Sequence, residues 1–244
     1  CPFCAELILV AAIKCRYCFS DLRVTATAPT EDDIERAARM GNPDAQYLLG
    51  QQLMEQRPTF KTGLEWCRKA AAGGSAEAQY ALAGWYVHGV MRPGMFGKSM
   101  YHGMPRDSTL AAQWYRKAAE QGVVEAQHEL GACYCYGHGV PQNLQSAQDW
   151  WLKAARQGHR PSMFSLAWDY TYGAIKNPFN AYKWYLLRCG PEMDNYIRGN
   201  LFYDLRVSLG VLLKTMEQAQ QQEAAQWAAD RGSAFGQYIL AEMY

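Results

Sequence analysis

The chain has 244 residues, 49% of them hydrophobic and 19% charged, with a formal net charge of +1. A balance this close to zero excludes the strong basic field of a dedicated nucleic-acid or anionic-membrane surface, and no apolar run reaches the ~18 residues of a membrane helix. Eight cysteines in a chain without an N-x-S/T sequon point to metal rather than secretion, because four of them form two Cys-x-x-Cys pairs. A reducing cytoplasm is therefore the expected setting; the chain begins at Cys1 rather than Met, which leaves a preceding segment open.

Residues 1–22 contain Cys1-Pro-Phe-Cys4, ten intervening residues, and Cys15-Arg-Tyr-Cys18. Each pair can point two sulfurs at one metal, and two pairs complete a tetrahedral site. A segment this short cannot bury enough apolar surface to fold alone, so metal binding of ~10–16 kcal/mol is expected to staple it. Zinc is favoured because four thiolates leave no open position, which makes the site structural; iron is the alternative for the same ligands, and a redox or disulfide pair the competing reading. The run resembles the short zinc-ribbon heads of many bacterial proteins. Residues 23–30 are small, β-branched and Pro-containing and read as a linker, with Thr30 capping a helix whose first turn is acidic.

From residue 31 to residue 244 the chain rewrites one segment. Trp114-Tyr-Arg-Lys-Ala-Ala-Glu-Gln-Gly122 returns as Trp66-Cys-Arg-Lys-Ala-Ala-Ala-Gly-Gly74 and Trp150-Trp-Leu-Lys-Ala-Ala-Arg-Gln-Gly158. Weaker echoes end at Gly41, Gly190 and Gly232. Each copy reads as the second helix of a pair: Trp and Ala bury, Arg and Lys solvate, and Gly turns the chain. The first helices carry Ala45-Gln-Tyr-Leu-Leu-Gly50, Ala78-Gln-Tyr-Ala-Leu-Ala83, Ala126-Gln-His-Glu-Leu-Gly131, Ser162-Met-Phe-Ser-Leu-Ala167 and Gly236-Gln-Tyr-Ile-Leu-Ala241. Their fifth residue, the small sixth residue, and Leu53, Tyr86, Tyr134 or Tyr170 three later make one buried face. The small residue allows a neighbouring helix to approach closely. Recurrence runs from 33 residues (Ala37 to Ala70) to 36 (Ala118 to Ala154). That is one αα-hairpin, which cannot bury its own face and must stack on its neighbours.

Tyr136-Gly-His-Gly-Val-Pro141, followed by Ala147-Gln-Asp-Trp-Trp and Lys153-Ala-Ala, resembles Sel1-like repeats, relatives of the tetratricopeptide repeat. The resemblance implies an all-α, right-handed αα-solenoid, here preceded by the small zinc ribbon. Two places depart from the pattern. An extra loop spans residues 90–102, where the family usually has a tight Gly-x-Gly turn. Residues 190–232 are degenerate, with a long helical run expected over 195–213 and a Glu/Gln/Ala-rich helix over Glu217–Trp227, of the kind that often terminates such arrays.

Catalytic motifs are weak. Gly94-Met-Phe-Gly-Lys-Ser99 ends like a phosphate loop, but Arg92 stands where the first glycine belongs and no preceding strand is expected. His128-Glu-Leu lacks the second histidine of a metalloprotease helix, and neither Gly-x-Ser-x-Gly nor Ser-x-x-Lys occurs. By analogy with tetratricopeptide geometry, the third residue of each first helix (Tyr47, Tyr80, His128, Phe164, Tyr238) faces a concave groove, with Gln51, Gly84, Ala132 and Trp168 beside it. Aromatics there can anchor a peptide, although packing between repeats is an equal reading. Met95, Phe96 and Tyr101 of the insertion are further candidate contacts. The expectation is a non-catalytic scaffold that binds a protein or peptide, with Cys1, Cys4, Cys15 and Cys18 holding a structural zinc. The alternative is a regulatory adaptor whose ribbon contacts nucleic acid or a larger complex; a hydrolase comes third.

Overall fold

The computed structural model describes residues 30–56, 58–94, 97–101, 104–173, 176–188, 214, 216–233, 236–237 and 240. Cys1, Cys4, Cys15, Cys18, Met95, Phe96, Tyr238 and the helical run expected over 195–213 lie outside them. The chain divides into two compact units, one through Gln142 and one from Asn143.

The first unit contains α1 (Glu31–Arg39), α2 (Pro43–Met54), α3 (Phe60–Ala72), α4 (Ala76–His88), α5 (Ser108–Glu120) and α6 (Val124–Tyr136), with a hairpin of β1 (Val90–Gly94) and β2 (Gly97–Tyr101) between α4 and α5. Consecutive helices pack on one another, and α2 also meets α4. The second contains α7 (Leu144–Arg156), α8 (Arg160–Tyr172), α9 (Pro178–Arg188) and α10 (Gln218–Ala229), packed α7 on α8, α8 on α9 and α9 on α10. The expected Glu/Gln/Ala-rich helix is α10.

Side-chain caps begin several helices, that of α1 as expected. Thr30 and Asp33 form a reciprocal capping box on α1, and Asn42 accepts from the Ala45 amide at 2.9 Å. Asp107 accepts from the Thr109 and Leu110 amides, both at 2.9 Å. Each such cap is worth roughly 1 kcal/mol.

The recurring Lys-Ala-Ala segment has a hydrogen-bonding reason. At the end of α5 the chain turns through Gly122, at φ 97°, and the Val123 amide donates back to the Ala118 carbonyl at 3.1 Å. Ser75 does the same to Ala70 and Asn42 to Ala37, both at 3.0 Å. The carbonyl of the second alanine is taken by a side chain from the next helix. Gln46 donates to Ala38 at 3.1 Å, Gln79 to Ala71 at 3.1 Å and Gln127 to Ala119 at 3.2 Å. These glutamines are buried, and each adds a second donor to a helix-terminal carbonyl that also accepts a glycine amide: Gly41 on Ala38 at 3.1 Å, Gly74 on Ala71 at 3.2 Å and Gly122 on Ala119 at 3.1 Å. Together the two alanines and the glutamine clasp one repeat to the next.

Three expectations change. Residues 90–101 are not a loop but an antiparallel hairpin pairing Val90 with Tyr101 through Gly94 with Gly97. Val90, which opens β1, and Met104, which follows β2 in sequence, are buried in the same cluster as Phe60, Leu64 and Leu82. A strand does precede Gly97-Lys-Ser99, but those residues continue into a second strand rather than a helix, which removes the phosphate-loop geometry. The repeat tryptophans are only half-buried: Lys69 lies 5.0 Å from the Trp66 ring centre, Lys117 4.1 Å from Trp114 and Lys153 3.8 Å from Trp150. The residue after each tryptophan (Cys67, Tyr115, Trp151) enters the core instead. In each case the ammonium of an exposed lysine lies over the ring.

The expected close approach of small residues occurs where α2 crosses α3. A Cβ built on Gly50 would sit 2.8 Å from the Gly63 carbonyl, and one on Gly63 would sit 2.5 Å from the Gly50 carbonyl.

Candidate partner-binding surfaces

The first-helix positions divide into packing residues and exposed ones. Tyr47 is half-buried against the cluster of Leu64 and Leu82. Its hydroxyl accepts from Gln51 Nε2 at 3.0 Å, and burial, then the neighbouring Cys67 and Glu77, push its phenol up to about 12. Tyr80 lies 5.9 Å from Tyr115 between ring centres. His128 is half-buried on α6. Tyr101 ends β2.

In the second unit, Phe164 and Trp168 do come together, and they are joined by a residue that the motif comparison passed over. Phe164, Trp168 and Tyr172 are spaced by four on α8, one turn apart. Ring centres are 6.0 Å apart for the first pair and 4.4 Å for the second. Trp168 and Tyr172 are each 47% exposed. Phe164 leans the other way onto the fully buried Tyr185, 6.4 Å between ring centres. Neighbouring Asp169 is buried, where its carboxylate accepts from Gln148 of α7. One side of α8 is thus held in the unit while its aromatic side stands in water. The spacing alone could have drawn Tyr172 into the candidate set.

The first unit holds a cavity of about 310 Å³ between α4, α5 and α6. Tyr86 and Val87 come from α4, Ala111 and Tyr115 from α5, and Glu129, Ala132 and Cys133 from α6. Arg106, Ser108 and His138 complete the lining. Ala132 contributes only a methyl group to this lining; elsewhere on α4, the nearest atom to a Cβ built on Gly84 is the Tyr115 hydroxyl, at 3.8 Å. His138 reaches the rim because Gly139 adopts φ 74° against the Ser108 backbone, where a Cβ would lie 1.9 Å from the Ser108 carbonyl oxygen. Only glycine fits that contact.

Glu129 dominates the electrostatics of this cavity. Burial raises its carboxyl above the ordinary range, and His88 offsets part of that rise. Burial, then Glu129, push the Cys133 thiol up to about 11. Tyr115 is raised by burial first and by Glu129 next. Tyr80 is raised by burial, then by Glu129 and Glu125. A protonated Cys133 is the opposite of an activated nucleophile. Among the described residues, no group of His, Cys, Asp and Glu is arranged to hold a metal ion, and no helix is long and apolar enough to cross a membrane.

Comparison with protein families matches the Sel1 repeat at residues 43–75, 76–123, 124–159 and 160–187. These four contiguous copies cover more than half of the chain. The chain belongs to the Sel1 repeat family. No curated protein matched its sequence. Among solved structures it is similar to a Sel1 repeat protein from Oxalobacter formigenes, with 32% identity over 54% of this chain and 92% of that one, at a TM-score of 0.46. It is also similar to a protective antigen present in uropathogenic Escherichia coli strains that displays an SLR fold. That match has 25% identity over 91% of this chain, a TM-score of 0.55, and spans 54% of the antigen's length. The all-helical reading and its Sel1-type repeat pairs therefore hold, with the hairpin as a local addition inside the 76–123 repeat.

Proposed function

We infer that this Sel1 repeat protein is a non-catalytic scaffold that binds a protein or peptide partner through the exposed faces of its first helices. The observation that carries this reading is the aromatic ladder of α8. Trp168 and Tyr172, tilted against each other, each leave nearly half their surface in water, although aromatic rings bury some 150–250 Å² when they are covered. At ~25 cal/mol per Å², covering the exposed halves favours association by a few kcal/mol, the scale of an interface hot spot. Buried Asp169 and the Phe164–Tyr185 contact hold the ladder in place, so a partner meets a preorganised surface.

The test is photo-crosslinking from position 168 to identify the partner, followed by calorimetry with the purified pair. Trp168→Ala with Tyr172→Ser should weaken binding by about tenfold or more, as loss of a hot spot does, while the helical circular dichroism and melting temperature stay unchanged. Equal affinity in the double variant would remove the reading.

The head carries a separate proposal. Cys1, Cys4, Cys15 and Cys18 hold a structural zinc ion, supported by their paired spacing and by the closed coordination of four thiolates. Reduced wild-type protein should contain one zinc per chain, and a Cys4→Ser, Cys15→Ser variant none; substoichiometric metal in the wild type would refute it. Free Cys67 and Cys133 fit a reducing compartment, which we place in the cytoplasm.

A further inference from the structure

We propose that the cavity between α4, α5 and α6 is a specificity pocket for a basic side chain, arginine or lysine, of the bound partner, with Glu129 as its counter-ion. The inference rests on the scaffold reading and names the chemistry that one part of its surface selects.

A cavity of about 310 Å³ lies at the small end of ligand pockets, which run from roughly 300 to 1,000 Å³. It suits one long side chain better than a folded element. Tyr115, a core residue of α5, and Tyr86 put two phenols in the lining. Aromatic faces attract a cation most strongly where water is scarce. Glu129 is half-buried on the α6 side and makes no hydrogen bond or ion pair with the described residues. Half-burial removes part of this carboxylate's hydration, and a guanidinium or ammonium group supplies a charged partner there.

The other charges on the lining do not reverse this preference. Arg106 is exposed at the mouth, so water screens it more than it screens Glu129 inside. His138 is likewise exposed on the rim. His88 influences Glu129 through space but forms no salt bridge with it within 4.0 Å. The interior field is therefore that of the single carboxylate. Glu129, Cys133 and His138 share the cavity without converging as metal ligands, which leaves an organic cation as the complementary charge.

Two measurements on the full chain test the pocket. The first follows the Glu129 side-chain carboxyl resonance in glutamate-labelled protein, assigned by its absence in Glu129→Gln. n-Propylguanidinium should shift this resonance saturably, and neutral n-propylurea should not. Ala132→Leu, which keeps the charge but fills the space, should abolish the response while circular dichroism stays native. The second probes an array of extended peptides with wild-type protein and with Glu129→Gln. Arginine- and lysine-containing peptides should be enriched by about tenfold for the wild type, and the enrichment should vanish in the variant. A response to guanidinium that survives Ala132→Leu, or equal responses to the charged and neutral probes, would overturn the pocket. So would peptide binding without a basic preference, which leaves the scaffold reading standing. A pocket response with no peptide bound at any position would instead count against the scaffold and uphold the pocket.

Discussion

Two glycines of first helices make opposite predictions for the same substitution. By helix propensity alone, Gly→Ala inside a helix is favourable by about 1 kcal/mol. At Gly50 the new methyl would lie 2.4 Å from Cys67 Sγ, 2.8 Å from the Gly63 carbonyl and 3.0 Å from the Cys67 amide nitrogen. Two of those neighbours are backbone atoms of α3, and Cys67 is fully buried, so its sulfur has no free space to swing into. Overpacking of this kind costs about 1–3 kcal/mol and outweighs the propensity gain if α3 has to move. Gly50→Ala should therefore destabilise by about 1–2 kcal/mol and lower the melting temperature by roughly 2–8 °C. At Gly84 the nearest atom to the same methyl is the Tyr115 hydroxyl, at 3.8 Å, an ordinary contact. Gly84→Ala should therefore raise the melting temperature by about 2–4 °C. Thermal melts followed by circular dichroism at 222 nm, with urea titrations, read both. A Gly50→Ala protein as stable as the wild type, or a Gly84→Ala protein less stable, would refute the packing argument.

Gln79→Leu should cost about 0.5–1.5 kcal/mol in urea unfolding, because it removes the Gln79 donor from the Ala71 carbonyl, which keeps the Gly74 amide, and takes the acceptor from exposed Gln121; a neutral effect would remove the clasp. In native protein, mass-mapped alkylation should reach half-exposed Cys135 before buried Cys67 and Cys133, and labelling of Cys67 first would contradict its packing. Burial raises the Cys67 thiol from 9.0 to about 12, so its contribution to stability is full below pH 9 and is lost as pH rises through 12. Unfolding titrations should show a shallower alkaline decline for Cys67→Ala than for the wild type. Glu129 is also raised, from an ordinary value of 4.5, so the native state loses stability as the pH rises above 4.5 and the buried carboxyl ionises. Glu129→Gln should gain stability over the wild type at neutral pH and lose that advantage in acid; a pH-independent difference would show that burial of the carboxyl is not the cause.

The repeat architecture was legible because its signals are local. The Lys-Ala-Ala-x-x-Gly endings, the Thr30 cap and the fifth-position leucines lie within a few residues of what they specify, and the periodicity of a helix turns them directly into faces. The role of the tryptophans was misjudged for a related reason. Spacing places Trp114 and Tyr115 on adjacent faces, yet only the neighbouring helices decide that Tyr115 enters the core while Trp114 stays half in water beneath Lys117. The 90–101 segment reads as an insertion in sequence, and its hairpin appears only once Val90 and Met104 are seen anchored in one cluster.

The sequence by itself thus determined the helix pairs, their boundaries and the family to which they belong. Tertiary structure decided which aromatics remain available and where a charge goes unpaired. Phe164, Trp168 and Tyr172 follow one spacing, but packing on Tyr185 draws Phe164 inward and leaves the other two exposed. The Glu129 cavity is lined by residues of α4, α5 and α6, which belong to two different repeats. Periodicity within one helix specifies which way a side chain points; empty space is defined only by all the helices that surround it.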